Sequence, residues 1–156
     1  MKQLYTLGYE KRSLGEFVQL LLDSEIDVLI DVREKAWSHK PGFSKTAFSD
    51  ALANAGIQYV HASFAGNPKR FREQAKTHKA ILDKYRKHLE TNPAIIDEFD
   101  ELVSGFLRKG RRVCLACFER HPDDCHRSIL ATKWRGQRKV RVEHLDPGGC
   151  PRLSPV

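Results

Sequence analysis

The run from Asp27 to Arg33 constrains the fold more than any other part of the chain. It reads Asp-Val-Leu-Ile-Asp-Val-Arg, almost continuously apolar, with its charged residues towards the ends. A run like this suits a strand buried on both faces, as in a parallel sheet. Helical patterns flank it. Before it, Leu14, Phe17, Val18, Leu21 and Leu22 recur at one-face spacing behind a Ser13–Glu16 capping box. After it, Ser44 stands as an N-cap, Phe48, Leu52 and Ala55 form a stripe, and Gly56 suits a left-handed C-terminal position. Short β-rich segments, Gln3 to Tyr9 and Ile57 to His61, lie outside these helices. Three βα units in succession predict an α/β domain with right-handed crossovers.

The rest of the chain extends that pattern. Residues 64–110 form a longer crossover, opened by the Gly66-Asn67-Pro68 turn signal. It holds a basic segment from Lys69 to Lys87 and an acidic helix with Ile96, Phe99, Val103 and Phe106 in its stripe. Arg112 to Phe118 is a fourth strand, Cys125 to Trp134 a helix, and Val140 to Leu145 a fifth strand at or near an edge. The expected architecture is a three-layer Rossmann-like domain over residues 1–146, with a mainly parallel five-stranded sheet in the order 3-2-1-4-5. Residues 147–156 are expected to form a tail.

A chain of 156 residues suits one domain. Its four cysteines are too few for a disulfide scaffold at this length, and neither a signal peptide nor a membrane-length apolar run is apparent. A cytoplasmic protein with reduced thiols is expected. The net charge of +7 favours an anionic partner, whether a phosphorylated metabolite, nucleotide or nucleic acid, and equally suits ordinary solubility. The basic segment Lys69 to Lys87 is read the same two ways: a phosphate-tracking face, or a solvated one.

Ligands of open parallel sheets bind beyond the C-terminal ends of the strands, where strand order reverses. The polar residues gather on that rim. Gly8, Tyr9 and Arg12 follow the first strand. Asp31 and Arg33 end the second, with Ser44 and Lys45 beyond the loop. His61 ends the third, and Cys117 and Glu119 the fourth. Cys125, His126 and Arg127 open the next helix, where unpaired N–H groups favour thiolate or phosphate. Arg12, Arg33, Lys45 and Arg127 are the expected anion contacts. Glu119 is the expected acid/base, and Cys125 or Cys117 the nucleophile, with His126 beside them. In each case a structural role competes: packing for Cys125, and an ion pair with Arg33 or Arg127 for Glu119. No cofactor is expected. Zinc is the one metal weighed. Cys114 and Cys117 point to opposite faces of a strand and cannot share it, whereas Cys117, Glu119, Cys125 and His126 form a mixed set that could.

These same residues carry a family resemblance. Thr6 to Tyr9 with Arg12 and Ser13, Asp31-Val-Arg33, Phe43-Ser44-Lys45, Tyr59-Val-His61, and Cys117-x-Glu119-x-x-Pro122-x-x-Cys125-His126-Arg127 together resemble domain of unknown function 488. Ala36, His39 and Gly66-Asn67 depart from the family's usual residues, in the second βα loop and in the turn after the third strand. The resemblance implies a Rossmann-like α/β fold and a site on this rim. It implies no settled reaction, though some members are labelled as DNA-repair related. Three readings stay open: an enzyme acting on a phosphate-bearing substrate, a non-catalytic nucleic-acid-binding module, and a polar network that only ties loops to the sheet.

Overall fold

The structure is a computed structural model, and it describes residues 2–136 and 138–145. Five parallel strands form one sheet: β1 (Lys2–Gly8), β2 (Val28–Asp31), β3 (Gln58–His61), β4 (Val113–Cys117) and β5 (Val140–His144). Helices α1 (Leu14–Asp23) and α2 (Lys45–Asn54) cover one face. On the other lie α4 (His78–Thr91), α5 (Pro93–Arg108) and α6 (His126–Arg135), with α3 (Lys69–Gln74) packed against α4. No helix among the described residues is long and apolar enough to cross a membrane. The expected tail, 147–156, lies outside the described residues.

The strand order is β3-β2-β4-β1-β5, which corrects the expected 3-2-1-4-5. β4 takes the centre: Val113 to Ala116 pair with β2 on one side, and Val113 to Cys117 with β1 on the other. Its sequence, Val-Cys-Leu-Ala-Cys, is buried throughout and carries no charge, which suits the most enclosed position. β1 begins with the partly exposed Lys2 and Gln3, and it is flanked by the edge strand β5. The β1–β4 adjacency still holds, but the point of divergence moves. From β2 the chain turns outward to β3, and from β4 it turns the other way to β5. The crevice of a doubly wound sheet therefore falls between β2 and β4.

Alternation along the strands builds two apolar layers. Val113, Leu115 and Cys117 face Phe99, Val103, Leu130 and Trp134. Cys114 and Ala116 face Phe17, Leu21, Phe48 and Leu52. Ser13 caps α1 by accepting from the Glu16 N–H at 3.1 Å. The basic segment is two helices rather than one, with an extended break at Ala75. That elbow leaves α3 and the start of α4 standing over the strand ends.

Candidate functional site

The rim residues separate into a buried frame and an open cleft. In the frame, Asp31 and Arg33 form a two-pronged pair. Arg33 Nε donates to Asp31 Oδ1 at 2.9 Å and Nη2 to Oδ2 at 2.7 Å, while the Tyr59 hydroxyl donates to Oδ2 at 2.6 Å. Arg33 Nη1 adds bonds to the Phe43 carbonyl at 2.7 Å and the Tyr9 hydroxyl at 3.3 Å. Burial works against the Arg33 charge, but the Asp31 carboxylate more than offsets it and holds the guanidinium pKa above its usual value. Burial, with the bond to Asp31, likewise raises the Tyr59 phenol. Asp31 is fully enclosed and its oxygens are spent on these partners. His61 Nε2–H donates to the Arg33 carbonyl at 2.8 Å and so braces the same turn.

Arg127 is also frame. Its guanidinium is fully buried and donates to Thr6 Oγ1 at 3.2 Å, the Glu119 carbonyl at 2.5 Å and the Arg120 carbonyl at 3.3 Å. Arg12 Nε donates to the Gly8 carbonyl at 3.0 Å. Gly8 is pressed against the protein backbone: a Cβ there would sit 1.8 Å from the Glu119 carbonyl oxygen. The end of β1 therefore presses against the chain leaving β4. Ser44 occupies the start of α2, but its hydroxyl bonds within the loop, to Ser38. Neither Ser44 nor the exposed Lys45 lines the cleft.

The cleft itself, of about 520 Å³, opens above the ends of β1, β2 and β4. Tyr9, Arg33, Cys117, Glu119 and His126 are the expected residues that line it. Its floor is a sulfur–imidazole pair, with Cys117 Sγ 3.6 Å from His126 Nδ1. His126 Nε2 lies 2.7 Å from the Val32 carbonyl. A carbonyl only accepts, so Nε2 carries a hydrogen and Nδ1 is the ring nitrogen turned towards Cys117. Cys125, at the N-cap of α6, is completely buried beside them.

The two thiols are tied electrostatically. The Cys117 thiol donates to Cys125, and with burial this pushes Cys117 well above the usual thiol range. Burial opposes a thiolate at Cys125. The bond from Cys117, His126 and the nearby Arg127 charge outweigh it and bring Cys125 well below that range. Glu119 is pushed up to about 8, first by burial and then by Cys125. Cys114 lies on the opposite face of β4, where burial raises it, so it takes no part.

In sequence, Lys69 and Arg72 stand out only as part of the basic segment, and Lys35, Trp37 and Phe118 are not singled out. Lys35, Lys69 and Arg72 bring positive charge to the cleft mouth, and Trp37 and Phe118 bring aromatic faces. Trp37 is 60% exposed and Phe118 44%. Both stand in loops, where no periodicity draws attention to them. His78, exposed at the start of α4, also lines the wall and bonds the Asp124 carbonyl. The basic segment partly neutralises itself, at the mouth through Lys69–Glu73 and elsewhere through Lys79–Asp83 and Arg86–Asp83.

The sheet and its rim define a doubly wound α/β protein with a Cys/Glu/His floor beneath a cationic mouth. The sequence pattern of the family described as "Domain of unknown function DUF488" matches residues 13–134, and the chain belongs to that family. Among solved structures, a "Putative phosphatase (DUF442)" from Shewanella putrefaciens CN-32 is similar at 16% identity. The likeness covers 88% of this chain and 68% of that one, with a TM-score of 0.44. No curated protein matches the chain.

Proposed function

We propose that this protein is an enzyme acting on a phosphate-bearing substrate of the nucleotide class. The observation that carries the reading is the stacking of two layers in one cleft. Lys35, Lys69 and Arg72 stand at the mouth, and Cys117, Glu119 and His126 lie on the floor. Cations at the mouth attract and hold a phosphate. The exposed faces of Trp37 and Phe118 suit a base or another flat group. A carboxyl on the floor supplies the proton that a departing oxygen needs, or takes one from the attacking group. The attacking group comes from the Cys117, Cys125 and His126 cluster. Because Cys125 is closed off, Cys117 is the sulfur nearest the substrate.

Arg33, Arg127 and Arg12 serve this site by holding its walls, since their guanidinium groups are already committed to protein oxygens. The three free cysteines among the described residues are in keeping with a reducing compartment, and we place the protein in the cytoplasm. The test is phosphate release or transfer from a panel of mononucleotides and short oligonucleotides. Wild type is expected to turn over at least one of them. Glu119→Gln and Cys117→Ser are expected to lower the rate by about two orders of magnitude or more. Salt-sensitive binding with no turnover would replace the enzyme with a nucleic-acid- or nucleotide-binding module. Neither binding nor turnover would leave the rim as a structural network.

A further inference from the structure

We propose that Cys117, Cys125 and His126 form a zinc site with one open coordination position facing the cleft. The proposal rests on the reading of the cleft as the working site, and it names what the floor cluster does there.

Three observations carry it. The first is convergence. Sγ of Cys117, Sγ of Cys125 and a ring nitrogen of His126 all lie within 4.8 Å of one another, and all three residues are buried. The second is spacing. Zinc–sulfur and zinc–nitrogen bonds of about 2.3 and 2.05 Å at the tetrahedral angle set sulfur and nitrogen about 3.6 Å apart. Cys117 Sγ and His126 Nδ1 are 3.6 Å apart. An S–H···N hydrogen bond has the same length, so it is this spacing together with the convergence of all three donors that points to a metal. The third is support behind the histidine. The Val32 carbonyl accepts from Nε2–H at 2.7 Å. This is the outer contact that fixes a zinc-binding histidine in the tautomer and orientation it needs.

The local fold explains why these donors converge. Cys117 ends the central strand, and Cys125 and His126 begin the helix that packs back across it. The eight-residue step between the two cysteines is bridged by a loop tied down by Arg127 through the Glu119 and Arg120 carbonyls. Two thiolates are the softest ligands a protein offers. Three protein ligands and an open position are the arrangement of catalytic rather than structural zinc. Glu119 lies outside the three-donor group and lines the same cleft, so it is not counted among the ligands. A water held on such a zinc is acidified towards neutral pH, which would make it the attacking group next to Glu119. Cys117 is then a ligand and not the nucleophile.

The experiment is elemental analysis of the full-length protein purified without chelators. It is followed by cobalt(II) titration of the metal-stripped protein and by iodoacetamide labelling. The expected result is about one zinc per chain, with tetrahedral d–d and thiolate-to-cobalt bands on titration. Cys117 should resist labelling until zinc is removed. Cys125→Ser and His126→Ala should lose the cobalt bands; if either fails to fold, the wild-type titration decides alone. No bound zinc, no thiolate–cobalt band, and rapid labelling of Cys117 in the protein as purified would overturn the proposal. Phosphate turnover that survives that result leaves the enzyme reading standing. Bound zinc without any phosphate ligand leaves the metal site standing and ends the substrate reading.

Discussion

Asp31 shows how individual residues of this rim divide their labour. It is fully buried, and two guanidinium nitrogens and the backbone N–H of Arg33 converge on it with a tyrosine hydroxyl. A buried charge pair of this kind is a weak gain over apolar packing, but breaking it strands the partner. Asp31→Ala is expected to lower unfolding free energy by about 3–5 kcal/mol, measured by urea denaturation. Gly8 makes a second case. An added Cβ lies 1.8 Å from the Glu119 carbonyl oxygen, which is backbone and cannot swing aside. Gly8→Ala is expected to cost about 1–3 kcal/mol or more and to reposition Glu119, lowering both Tm and any turnover. In sequence, Asp31, Arg33, Gly8 and Arg127 look like ligand contacts because they are polar and on the correct rim. Nothing in the chain order says that their partners are groups of the protein itself.

Elements decide what the cleft is made of. Strands and helices are legible because their periodicity reports burial: β2 from the Val28–Ile30 run, and α1 from Phe17 and Leu21. The order of the strands is less legible. Periodicity says that β4 is buried on both faces but not which strands flank it, so its place between β2 and β1 emerges only from pairing. The break between α3 and α4 was similarly hidden, since basic residues continue across it. That break sets Lys69 and Arg72 over the mouth. Both residues are exposed, so Lys69→Ala/Arg72→Ala should leave Tm unchanged within about 1 °C, as surface changes usually cost little. The same double variant should weaken binding of a phosphate ligand roughly tenfold or more, from about 1.5 kcal/mol per charge-assisted hydrogen bond. It should also flatten the salt dependence of binding. Equal affinity in the double variant, measured by calorimetry, would remove these cations from the site.

At the scale of the molecule, everything depends on whether the floor and the mouth act as one site. The frame holds β1, β2, β4 and α6 together at their shared end, and the cleft lies in the crevice where the connections from β2 and β4 diverge. The family pattern covers β2, β4 and nearly all of α6, at residues 13–134, but not β1. The chain has two tryptophans, and they are placed to test the arrangement directly. Trp134 is 1% exposed and Trp37 is 60% exposed, on the cleft wall. Ligand entering the cleft therefore reads out through Trp37 alone. The decisive measurement is a fluorescence titration with nucleoside monophosphates, run on wild type and on Trp37→Phe. The account predicts saturable quenching in wild type, absent in Trp37→Phe and weakened by added salt. Unchanged Trp37 emission across all the nucleotides and inorganic phosphate would contradict it.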